Sequence, residues 1–229
     1  MSSATDPFRG GRAGGEPVRW PGMAGAATAV ALVAYAHLAA AGTVDPVTGL
    51  VGDYALLDAS AWAMTGGTII LAVSTIWVAY GLARVDPARS AAARVLLVAG
   101  ALGLLLTAVY PAEAAAGVTS AAGTIHNWAA AVVSTALPCA GWMLGRRFRV
   151  PALSAVSAAS AALLVVFLVA RPGSPAADLV DGTGYYGLVE RLLMIGETAL
   201  VFLAARSMGR RPASGSRDVV VAVPAQRAA

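Results

Sequence analysis

Hydrophobic residues gather in six long stretches, at about residues 22–42, 60–83, 95–112, 124–145, 150–170 and 187–209, separated by short polar segments. A helix needs roughly 17 to 25 residues to cross a bilayer, and all six qualify, the third being the shortest. Backbone groups in lipid must be satisfied within the segment, so stretches of this kind read as helices. The pattern predicts an all-α fold, a polytopic membrane bundle of six transmembrane helices spanning residues 22–209 as one domain. Residues 1–21 and 210–229, rich in Gly, Ser and Arg, are expected to be disordered tails. The first stretch has Arg upstream and small residues near its end, as a signal peptide does. Its apolar run exceeds the usual 7 to 15 residues, so it is read as a retained span.

The polar positions between the stretches carry the topology. Every Lys-or-Arg position is Arg; 13 of the 16 fall in the tails or in the alternate loops at 84–94 and 146–149, and Arg206 closes the last stretch at the same side. The opposite loops hold Arg171 against Asp45, Asp53, Asp58, Glu113, Asp178 and Asp181. The positive-inside rule then places both termini in the cytoplasm, in a multi-pass protein of the plasma (inner) membrane. Composition agrees: 58% of residues are hydrophobic and only 12% charged, against about 25% in soluble domains. The Arg residues are scattered over four short segments, which gives no reason to invoke nucleic acid. A single cysteine, Cys139, excludes an intrachain disulfide and any CxxC metal motif, and is expected to be a buried core thiol.

The last stretch departs from the pattern. Glu190, Arg191 and Glu197 lie inside it, and charge at membrane depth costs roughly 2.5 to 3.5 kcal/mol per residue on insertion scales. Such groups face a protein interior. Glu190 and Glu197 are seven residues apart and share one helical azimuth, whereas Arg191 points about 100° away from Glu190. Partners on other helices are therefore expected for both. His37 is a reach for Glu197. His126 and Asn127 fall near the same end of the bundle, as do Glu113 and the acids of the first loop. Tyr54, Trp62, Tyr110, Trp128, Tyr185 and Tyr186 cluster there too, as an interfacial aromatic belt or, for some, as pocket walls that stabilise a cation.

Several chemistries lack support. There is no Gly-Lys-Ser/Thr phosphate loop, no dinucleotide fingerprint and no nucleophile elbow. His37 and His126 have no paired-ligand spacing, so neither a metal site nor a cofactor is assigned. Small-residue pairs, Ala99 with Gly103 and Gly141 with Gly145, suit close helix packing. No internal repeat points to an inverted-repeat transporter.

Four short motifs occur in an order that resembles a family of bacterial membrane proteins, domain of unknown function 998. They are Val51-Gly-Asp-Tyr54 with Trp62, Tyr110-Pro-Ala-Glu113, Gly123-Thr-Ile-His126 and Gly187-Leu-Val-Glu-Arg191. The family more often has Phe at the position of Tyr110, Asp at that of Glu113 and Ser at that of Gly52. The resemblance covers about residues 22–209. It implies six helices and an external cluster of Asp53, Glu113, His126, Glu190 and Arg191, and it assigns no reaction.

Three functional readings follow. In the first, a polar pocket facing the extracytoplasmic leaflet binds a lipid or other amphipathic ligand, with Arg191, His37, Asn127, Tyr54, Trp62 and Trp128 as contacts. In the second, a cofactor-independent membrane enzyme uses acid–base groups (Glu190, Glu197, Glu113, His126 and Asp53) to cyclise or isomerise an isoprenoid or other apolar substrate. Carboxyls in apolar surroundings resist ionisation and can serve as proton donors. The third is a metal-dependent lipid hydrolase.

Overall fold

The structure is a computed structural model that describes residues 16–110, 112 and 120–209. Six long helices account for most of it: α1 (Glu16–Ala39), α2 (Asp58–Val85), α3 (Ala91–Val109), α4 (Ala121–Phe148), α5 (Pro151–Ala170) and α6 (Tyr186–Ser207). A 3-10 turn, Val51–Leu56, sits between α1 and α2, and two shorter ones precede α6. The first four helices each begin or end a few residues beyond the apolar run that announced them. α1 starts at Glu16, inside the segment expected to be disordered, and α4 carries Arg146 and Arg147 in its last turn. Long basic side chains reach water from the end of a span, so a helix outlasts its charge-free core.

Five of these helices, α1 to α5, are long and apolar enough to cross a membrane. Their surfaces say the same thing. Leu38, Val95, Val165 and Ile195 are each at least 60% exposed, which would be untenable for so many large apolar side chains in water. The described chain is thus a multi-pass membrane protein. Five helix hydroxyls are satisfied locally: Thr68, Ser74, Thr75, Ser157 and Thr198 each donate to the carbonyl four residues back.

Consecutive helices pack side by side, and α1 closes on α6. α6 also touches α2 and α4, which makes it the hub. The helix carrying the ionisable residues is the one best shielded from lipid. α5 is its opposite: only Leu153, Ser157, Ser160 and Ala170 of its 20 residues are buried. Glycines set the helix spacing. A Cβ at Gly103 would stand 2.9 Å from the Ala129 carbonyl oxygen of α4, and one at Gly145 would stand 2.8 Å from the Ser154 nitrogen of α5. On α3 the partner of Gly103 is Gly100, packed on Leu137, and not Ala99, which is half-buried. Cys139 is exposed on the flank of α4, not in the core.

Candidate functional site

The segment from α1 to α2 folds back over the start of α6 and is fastened there. The N–H of Leu188, one of the donors that a first helical turn leaves unpaired, binds the Val47 carbonyl at 2.9 Å. The Val51 N–H donates to Glu190 Oε2 at 2.6 Å. Arg191 Nη1 donates to the carbonyls of Gly49 (2.6 Å) and Gly187 (2.9 Å), while Nη2 donates to the Tyr54 hydroxyl at 2.5 Å. Approach is close enough that a Cβ on Gly187 would lie 2.0 Å from the Gly49 oxygen. Glycine is required there for space. Within the segment Asp53 Oδ2 accepts from the Leu50 N–H, and the Ser60 hydroxyl donates to the Tyr54 carbonyl. Asp45 accepts from the N–H groups of Thr48 and Val47 and from the Thr48 hydroxyl, which holds its carboxyl below the usual range.

The Tyr54 hydroxyl oxygen accepts from Arg191, so its own proton is available to His37 Nδ1, 2.7 Å away. Arg191, Tyr54 and His37 thereby form a relay, with the guanidinium 5.3 Å from the Tyr54 ring centroid. The relay closes one end of a groove of about 280 Å³ between α1 and α6, whose apolar walls include Val30, Val33 and Ile195. Arg191 Nε is buried with no hydrogen-bond partner among the described residues.

Glu190 and Glu197 face the other way, into a cavity of about 270 Å³ lined by α2, α3, α4, α6, the 3-10 turn and Phe167 of α5. Its walls are mostly apolar, with Leu104, Val133 and Leu193 among them, and Thr65, Thr68, Thr107, Ser134 and His126 add polar points. Glu197 is buried and hydrogen-bonded to Ser134, yet its Oε1 has no partner among the described residues. His126 donates from Nδ1 to the Tyr110 carbonyl at 2.8 Å, since a carbonyl can only accept. That bond ties the start of α4 to the end of α3.

The residues expected to share one pocket are thus divided between two. Glu190, Glu197 and His126 line the cavity; Arg191, Tyr54 and His37 line the groove. Val51 and Met194 belong to both walls. His37 is engaged by Tyr54, and Ser134 takes the place at Glu197 that His37 was expected to fill. Asp53 caps its own turn. Trp62 and Trp128 are 58% and 71% exposed, and Asn127 is exposed beside Trp128. Tyr186 is buried and stacks on Phe167, with ring centroids 4.5 Å apart. Glu113 lies outside the described residues. No group of three His, Cys, Asp or Glu side chains that could hold a metal occurs among the described residues.

A family model described as protein of unknown function, DUF998, matches residues 23–207. The chain belongs to the DUF998 family. No curated protein and no solved structure gave a match. In this DUF998 protein the four short motifs acquire physical roles. Gly187, Glu190 and Arg191 are the α6 side of the loop fastening, and Val51 to Tyr54 are the other side. His126 and Tyr110 join two helix ends. The motifs build the roof over the cavity. What sequence reasoning overlooked is the polar lining, Thr65, Thr68, Thr107 and Ser134; the spacing of Thr65 and Thr68 by three on one helix was the available signal.

The three acceptors around Arg191 fit a planar fork better than an ammonium. Arg191→Lys is expected to destabilise the DUF998 bundle by about 1–3 kcal/mol, read as a lower unfolding temperature in detergent. An unchanged unfolding temperature would mean that the fork does not hold the loop.

Proposed function

We propose that this protein binds a lipid or other amphipathic molecule in the Glu190/Glu197 cavity, with all six helices crossing the plasma membrane. On this reading the Glu190 end faces the extracytoplasmic leaflet and both termini face the cytoplasm. The reading rests on one observation above the rest: a buried carboxyl, Glu197, presents an unpartnered Oε1 in an otherwise largely apolar chamber. An unmatched buried polar atom costs about 1–3 kcal/mol, and a ligand hydroxyl or amide that pairs with it recovers that cost. The chamber volume of about 270 Å³ is near the lower end of small-molecule sites, at roughly 300–1,000 Å³, and suits one short chain or ring system. The arginine asymmetry supports the orientation. The sixth crossing is supported by the length of α6, 22 residues, and by its place at the hub, where its ionisable groups meet protein.

The test fills the chamber without touching its carboxyls. Ala130 lines it from α4, and Ala130→Phe places a ring inside. Mass spectrometry of lipids co-purifying with the unsubstituted protein should reveal a retained species, reduced at least about tenfold in Ala130→Phe. Equal retention by both would count against the chamber as the binding site.

A second reading has support from the same geometry. Two carboxyls on one wall could protonate a double bond and recover the proton when the rearranged product forms, which is cyclisation or isomerisation with no cofactor. Among the described lining residues Phe167 is the one aromatic available to stabilise a cation, so binding is favoured. Conversion of a bound isoprenoid, abolished by Glu197→Gln with the fold intact, would reverse that order.

A further inference from the structure

At the opposite end of the bundle two segments distant in sequence come together, residues 86–90 after α2 and residues 146–149 at the end of α4. Arg89, Arg146, Arg147 and Arg149 line one cavity of about 440 Å³ there, and Ala93, Met143 and Leu144 form its apolar wall. Scattered along the chain, these arginines read as topology markers; folded, they make a single basic recess. Asp86 offsets one of them, holding Arg147 Nε at 2.8 Å. Among the described residues Arg89, Arg146 and Arg149 have no carboxylate partner. The recess therefore carries a net excess of positive charge.

Its framework is ordered before any ligand arrives. The Ser90 hydroxyl donates to the carbonyl of Asp86, and the Ser90 N–H does so at 3.1 Å, which closes the turn that presents Arg89. On the other side, Arg149 ends α4 with φ of 52° and ψ of 50°, in the left-handed region. Both its N–H and that of Val150 return to the Gly145 carbonyl, and Pro151 then starts α5. Glycine is the residue that such a helix end favours, because a Cβ is strained there. Arginine stands at this position against local preference, and its guanidinium lines the recess.

We propose that this recess binds the phosphate of an anionic membrane lipid. Guanidinium forks match phosphate oxygens in pairs, and basic pockets at the ends of membrane helices are suited to such headgroups. Free phosphate presents the same anion; the apolar wall of Ala93, Met143 and Leu144 favours the lipid, whose glycerol and upper chains would lie along it. Nothing in this inference depends on the Glu190/Glu197 cavity.

Arg149→Gly separates binding from folding, because it relieves the backbone while removing a guanidinium. In detergent, native mass spectrometry should show phosphatidylglycerol retained by the unsubstituted protein in preference to phosphatidylcholine. Arg149→Gly should lower that retention about fivefold, and Arg146→Gln with Arg149→Gly further, with an unfolding temperature equal to or above the parent's. Equal retention of the two lipids, or unaltered phosphatidylglycerol binding in the double variant, would overturn the proposal. Inorganic phosphate binding as tightly as phosphatidylglycerol would overturn the lipid occupant and leave a soluble anion in its place.

Discussion

Gly187→Ala is expected to release the loop roof from α6 and to be the most destabilising methyl group that can be added at this end of the bundle. The new Cβ would stand 2.0 Å from the Gly49 oxygen and 2.8 Å from Arg191 Nη1, so neither neighbour can stay in place. The first neighbour is backbone, and it is the acceptor for Arg191. Moving it by the required distance breaks that bond and strains the adjoining ones, Leu188 to Val47 and Val51 to Glu190. Overpacking of this kind costs about 1–3 kcal/mol, and each hydrogen bond to a charged group about 1.5–3 kcal/mol more. A loss on the order of 3–5 kcal/mol is expected from denaturation in detergent, together with protease sensitivity confined to residues 43–57. A stability loss below about 1 kcal/mol would show that the loop is held by something other than this fastening.

The second large effect has the opposite sign on stability. Glu197→Met removes a buried carboxyl with one unpartnered oxygen and replaces it with an unbranched apolar chain of similar length. The hydroxyl of Ser134 is not stranded by the change, since a serine on a helix can donate to the carbonyl four residues back, as Thr135 already does to Ala131. A gain of about 1–2 kcal/mol is expected. Retention of the bound lipid should meanwhile fall by at least about tenfold, because the polar anchor is gone. Stability and binding would then diverge, the signature of a group kept for a ligand. A destabilised Glu197→Met would instead make Glu197 a structural residue and remove the central support for the binding reading.

The helices were legible because lipid imposes a simple rule on composition: runs without charge must be long and helical. Their ends were less so, because Glu16, Arg19, Arg146 and Arg147 continue a helix beyond the apolar run. Within the site, helical periodicity carried the reading well. Glu190 and Glu197 do share a wall, and Arg191 does point elsewhere. Periodicity could not show that the two directions open onto separate spaces. That division depends on where the loop after α1 lies, and the loop is placed by the carbonyls of Val47, Gly49 and Gly187, groups that every residue possesses and no composition reveals. The pairing of Glu197 with Ser134 was hidden for a related reason, since a small hydroxyl on an apolar helix most often bonds its own backbone.

The peripheral position of α5 has a consequence for how the chain can change. Ten of its 20 residues are exposed, and Val165, Val166 and Leu168 face outward with at least 40% of their surface. Lipid asks only that such residues be apolar, so their identities are interchangeable while their character is not. Leu153, Ser157 and Ser160 are held to a shape, because Ser157 and Ser160 fill the space beside Gly141 and Gly196. Evolution can therefore rewrite the exposed half of α5 within an apolar alphabet. α6, whose neighbours are other helices on most sides, has to keep its letters.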